Sequence, residues 1–110
     1  MPGRAFPLVD SLQDLQQRIR HAPALAVWFS APGCRVCSDL QPKLATLLED
    51  HFPLFQSARV DCTTTAEAAA RHQVFSVPTL LIFFEGRESL RKIRNLSLPG
   101  TKSQNPRWIN

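Results

Sequence analysis

Cys34 and Cys37, three positions apart in Gly33-Cys34-Arg35-Val36-Cys37, are the residues of this 110-residue sequence best suited to chemistry. They stand where a buried apolar run gives way to an amphipathic one. A strand-to-helix junction there sets the first sulfur at a helix N-terminus, where unpaired N–H groups and the macrodipole favour the thiolate that makes and breaks disulfides. Thiol redox is the reading this arrangement supports. A metal site is a competing use of two cysteines, but no second CxxC or Cys/His pair accompanies them, so it ranks last and no metal or other cofactor is assigned.

The elements that must position these sulfurs can be read on either side. Leu12, Leu15 and Ile19 recur at helical spacing with Ser11 three residues before Asp14, which predicts a helix over 11–21 that Pro23 ends. Residues 24–29 read as a fully buried strand, and 30–33 as the turn after it. From Cys34 a helix runs to His51 with Cys37, Leu40, Leu44, Leu47 and Leu48 on one face; Pro42 inside it removes one backbone donor and should kink it. Residues 55–60 form a second strand, and Thr63, Thr64 and Thr65 offer N-cap hydroxyls to a helix over 66–72. Residues 79–84 are the clearest strand, and Glu85-Gly86 reads as a tight turn into a last strand over 89–95. The order helix, strand, helix, strand, helix, strand, strand predicts an α/β fold with a central mixed sheet and helices on both faces.

Composition bounds the function. One domain's length, 44% hydrophobic and 20% charged residues describe an ordinary globular protein. The apolar stretches are too short to span a bilayer, so no membrane role is expected. Residues 1–85 hold seven Lys/Arg against eight Asp/Glu, net −1, whereas 86–110 hold six against one, net +5. The basicity belongs to the C-terminal quarter, and a nucleic-acid role for the body gains no support. Arg4 is followed by a brief apolar run rather than a signal-peptide core, and three cysteines make no disulfide scaffold. A reducing, cytoplasmic setting is the expectation. The domain is expected over 1–98, and 99–110, built from turn and linker residues, as a polar, flexible tail.

The CxxC, the buried strand before it, a proline five residues after the second cysteine, Val60-Asp61 ending the next strand, and Ser76-Val77-Pro78-Thr79 before an apolar hairpin together resemble the thioredoxin family. The similarity covers roughly residues 8–95. It implies the thioredoxin-like fold, with a cis Val77-Pro78 bond facing the sulfurs and the Val77 backbone free to pair with an extended substrate chain. It further implies that Cys34 is the nucleophile and Cys37, one turn inward, the resolving thiol. Gly33, Arg35, Val36, Val77 and Pro78 are then the substrate-binding residues. Protein disulfides would be the substrates, with an external thiol reductase or other donor supplying electrons.

The departures from that family are specific. Its motif usually reads Trp-Cys-Gly-Pro-Cys, so the preceding indole and the intervening proline are missing here. Trp28 stands where the family carries a buried acid, and Ser57 where a lysine commonly pairs with it. Asp39 and Asp61 are the nearest acids in sequence, with a solvated helix surface and a strand-end cap as the simpler readings. Arg35 either lowers the Cys34 pKa or is an ordinary solvated side chain. Cys62 reads as a small buried hydrophobe, with a regulatory or intermolecular thiol as the alternative. His21, His51 and His72 sit near helix ends, where the C-terminal dipole favours them. Arg87, Arg91, Lys92 and Arg94 read as a charged edge strand that resists aggregation.

The family also ends in an amphipathic helix that residues 99–110, with Pro99, Gly100 and Pro106, do not resemble. One sheet face is expected to lie uncovered, which invites dimerisation or partner docking. A disulfide reductase is therefore weighed against a thioredoxin-fold binding or adapter module whose CxxC is vestigial or regulatory.

Overall fold

A computed structural model describes residues 6–93. The boundary at 98, the tail 99–110, Trp108 and Arg94 lie outside the described residues.

Ser11 opens α1 (Leu12–His21) by accepting the Asp14 N–H on its hydroxyl, and Asp14 pairs with Arg18 one turn on at 2.9 Å. Leu15 and Ile19 are the buried stripe this spacing requires. Strand β1 (Ala24–Ser30) buries six of its seven residues because both faces are covered. Leu25, Val27 and Phe29 enter a core with Leu15, Ile19, Ala68 and Ala69, whereas Ala26 and Trp28 enter a second core with Cys37, Leu44, Ala45 and Leu48. Helices α1 and α3 (Ala66–Arg71) therefore cover one face, and α2 (Arg35–His51) covers the other.

The sheet order is β2-β1-β3-β4, with β2 (Gln56–Asp61) parallel to β1, β3 (Thr79–Phe84) antiparallel to it, and β4 (Arg87–Ile93) closing an antiparallel hairpin. This is the mixed sheet that the element order predicts. Leu8 adds a short parallel bridge to Arg59 on the outer side of β2.

Several boundaries differ from the sequence reading, each for a local reason. Ser30 pairs with Asp61, so β1 runs one residue further and the turn begins at Ala31. Strand β4 starts two residues sooner because Glu85 (φ 51°) and Gly86 (φ 80°) both take left-handed conformations, the geometry of a two-residue hairpin turn, and a register shift at Ile82/Phe83 absorbs the rest. Thr65 occupies the N-cap of α3 but makes no side-chain capping bond. Asp61 organises that turn instead, accepting from the Thr63 N–H (2.9 Å) and hydroxyl (2.6 Å) and the Thr64 N–H (3.4 Å).

His72 is also corrected. Its ring is half-buried between Phe29 (6.4 Å) and Phe83 (5.7 Å), and burial holds its pKa below the ordinary value, which favours the neutral form over a dipole-bound cation. The carbonyls at this end of α3 find their cation elsewhere: Arg91 donates to His72 O at 2.8 Å and Gln73 O at 3.1 Å. Arg91 thus clamps strand to helix, as well as marking the edge with charge.

Candidate active site

Gly33 takes φ +80° with nothing within 4 Å of where a Cβ would stand, so the demand at this position is the left-handed backbone, not space. The turn closes with the Cys34 N–H donating to Ala31 O at 3.2 Å, and Cys34 becomes the N-cap of α2. Its sulfur takes the place of the usual capping oxygen and accepts the Cys37 N–H at 3.2 Å. The Cys34 carbonyl accepts from Ser38 at 3.2 Å.

Cys34 and Cys37 are joined as a disulfide with their Cα atoms 5.3 Å apart. The two sulfurs are not equivalent. Cys37 is 3% exposed in the α2 core, whereas Cys34 is half-buried at its margin, flanked by exposed Gly33, Arg35 and Val36. The Val77–Pro78 peptide bond is cis. Pro78 is buried, and half-buried Val77 packs on the same core as both cysteines. The Thr79 hydroxyl donates to Ser76 O at 2.8 Å and ties this segment to the start of β3.

Trp28 belongs to that core, fully buried, and its indole N–H has no hydrogen-bond partner among the described residues. The wall beneath the dithiol is therefore apolar where a carboxylate would have been ionisable. Neither acid near the motif in sequence replaces it. Asp39 is exposed on α2. The Asp61 carboxyl is held below its usual range, first by the Thr63 hydroxyl, and is engaged by the turn before α3.

Cys62 packs against the opposite core, the one that holds Leu15, Ile19, Ala68 and Ala69. Burial, and secondarily the Asp61 charge, push its thiol up to about 11. Phe75, two residues before Val77, is 86% exposed. In the sequence it reads as part of the apolar lead-in to Pro78, and nothing in that pattern signals its exposure. Among the described residues no cluster of three or more His, Cys, Asp or Glu side chains could hold a metal ion, and no helix is long and apolar enough to cross a membrane.

The family model for thioredoxin matches residues 7–99. The chain belongs to the thioredoxin family. It is 37% identical over 84 residues to the thioredoxin-like protein YdfQ of Bacillus subtilis (strain 168), which covers 76% of this chain and 74% of that protein. It is 35% identical over 89 residues to human protein disulfide-isomerase A4, covering 78% of this chain but spanning only 14% of that longer protein. Solved structures agree on the fold: Fasciola hepatica thioredoxin superposes with a TM-score of 0.73 at 28% identity, over 80% of this chain and 86% of that one. Oxidised mitochondrial thioredoxin 3 from Saccharomyces cerevisiae gives 0.75 at 22% identity, over 80% and 82%, and at that identity speaks for the fold alone. Membership and the paired CxxC sulfurs together make the chain a thiol–disulfide oxidoreductase in class. Its redox centre is the disulfide itself, since the family needs no cofactor, and protein disulfides are the family's general substrates.

Proposed function

We propose that this thioredoxin-family chain reduces protein disulfides, with Cys34 as the attacking thiolate and Cys37 as the resolving thiol. The observation that carries this reading is the asymmetry of the pair: Cys34 is half-exposed and accepts a helix N-terminal N–H, whereas Cys37 is buried one turn inward. An N–H that donates to sulfur stabilises the anion, and exposure lets a partner reach it.

The Cys34 thiolate attacks one sulfur of the substrate disulfide, forming a mixed disulfide and expelling the other substrate sulfur as thiolate. The Cys37 thiolate then attacks the Cys34 sulfur, the mixed disulfide breaks, and the second substrate thiolate leaves. Two electrons pass to the substrate, and the Cys34–Cys37 disulfide remains to be reopened by an external dithiol or thiol reductase. Gly33, Arg35 and Val36 adjoin Cys34 in sequence and Val77 packs on the same core as Cys34, which supports these residues and Pro78 as the substrate-binding set, with the Val77 backbone as the edge that pairs with the substrate. A reducing cytoplasm would keep the pair in its donor form.

Insulin reduction under dithiothreitol, followed by turbidity, tests the reading. Wild type should precipitate the B chain well ahead of the reagent alone, and Cys34→Ser should not. Equal rates for the two proteins would leave the adapter reading, which the apolar wall at Trp28 favours.

A further inference from the structure

Two buried side-chain nitrogens lack a hydrogen-bond partner among the described residues, Trp28 Nε1 and His72 Nε2. A neutral imidazole can leave a lone pair in such a place, whereas an indole nitrogen is always a donor. Trp28 is fully buried, and a buried donor without an acceptor is uncommon enough to need a reason.

The acceptors within reach are few. Trp28 and Ala26 share the α2 core with Cys37, and Cys34 packs at its margin. On the sheet, Trp28 stands in register with Leu80 and Arg59; the first has no polar side-chain atom and the second can only donate. Buried Ser57, in register with Ala26, carries a hydroxyl. The remaining acceptors of this core are the two sulfurs. Cys34 already accepts the Cys37 N–H. Cys37, at 3% exposure, is the sulfur whose charged form water can least help.

We propose that the Trp28 N–H is a redox-dependent donor to Cys37, unpartnered while the sulfurs are joined and bonded to the Cys37 sulfur once the disulfide is reduced. The oxidised pair and the unpartnered N–H occur together in this structure. Two monothiols that reduce the pair become one disulfide, and Cys34 and Cys37 each regain a thiol or thiolate. The Cys37 sulfur then moves within the core, and as a thiolate it accepts far more strongly than a disulfide sulfur does. A bond present in the reduced state alone favours that state, so Trp28 raises the reduction potential and steadies the Cys37 thiolate that resolves the mixed disulfide. This role requires only that the Cys34–Cys37 pair cycle as proposed above, whichever way its electrons run.

Nuclear magnetic resonance of the indole N–H tests it. Trp28 and Trp108 are the tryptophans of the chain, so Trp108→Phe assigns the Trp28 resonance. On reduction by dithiothreitol that proton should move downfield and exchange with solvent more slowly, and in Cys37→Ala it should stay at the oxidised position. In glutathione buffers Trp28→Phe should shift the equilibrium about tenfold toward the disulfide, the scale of one buried hydrogen bond, which is about 30 mV for this couple. Leu44→Ala, which loosens the same core without removing a donor, should leave the equilibrium near that of wild type. Should Trp28→Phe unfold, the wild-type resonance decides. A proton that holds its position on reduction, or a Leu44→Ala shift as large as that of Trp28→Phe, overturns the proposal. A resonance displaced by Ser57→Ala equally in both redox states overturns it in favour of the hydroxyl. The glutathione equilibrium involves no protein substrate, so failure here is distinct from failure of insulin reduction.

Discussion

The backbone N–H of Cys37 donates to the sulfur of half-buried Cys34 at 3.2 Å, a bond that would stabilise a Cys34 thiolate once the disulfide is reduced. Cys62 has the opposite surroundings, with burial pushing its thiol up to about 11. In the reduced protein at pH 8, iodoacetamide should modify Cys34 first, and Cys62 about two orders of magnitude more slowly than an unhindered cysteine, in proportion to their thiolate fractions. Peptide mapping over a time course reads this directly. Comparable rates at Cys34 and Cys62 would contradict it.

The placement of His72 between Phe29 and Phe83 sets a pH dependence of stability. Its folded pKa lies below the ordinary 6.5, chiefly through burial, so below pH 6.5 the unfolded chain binds a proton that the folded chain does not. Stability from this residue is complete above about 6.5 and declines as pH falls toward the folded value. Thermal midpoints from pH 7.5 down to 5 should fall more steeply in wild type than in His72→Gln. Parallel curves would show that His72 is not the source.

Arg91 joins β4 to the end of α3 through two carbonyls and holds Glu88 at 2.9 Å. Arg91→Ala should cost about 1 kcal/mol, the scale of charge-assisted bonds discounted for partial exposure. Arg91→Lys should recover only part of it, because an ammonium cannot serve both carbonyls as the guanidinium fork does. Urea titrations of the three proteins give the comparison.

Asp61 is committed to Thr63 and Thr64 in the turn before α3. Asp61→Asn should therefore loosen the turn before α3 and lower the thermal midpoint, while the pH profile of disulfide exchange keeps its shape. A displaced profile would give Asp61 a place in the chemistry.

Most of this architecture was legible because it rests on local rules. Ser11 with Asp14, the 3.6-residue spacing of Leu15 and Ile19, and the unbroken apolar run through β1 each state their structure within a few residues. The Cys34–Cys37 spacing and its position at the start of a helix were equally readable, as was the family resemblance. What escaped depends on contacts between distant segments. His72 looks like a helix-end histidine until Phe29 and Phe83 close around it, and Arg91 looks like edge charge until α3 ends beneath it. The Glu85-Gly86 turn is readable, but that pairing resumes at Arg87 rather than Ser89 depends on Phe84 standing opposite it. Phe75 was passed over because an apolar residue in an apolar run carries no mark of exposure.

The account stands on Cys34 attacking and Cys37 resolving, and trapping the intermediate tests that division of labour most directly. Reduced Cys37→Ser, mixed with a protein disulfide and examined by intact-mass spectrometry, should accumulate a covalent complex through Cys34 that dithiothreitol releases, while Cys34→Ser forms none. Accumulation through Cys37 in the Cys34→Ser protein, with none through Cys34 in the other, would reverse the assignment and contradict the account.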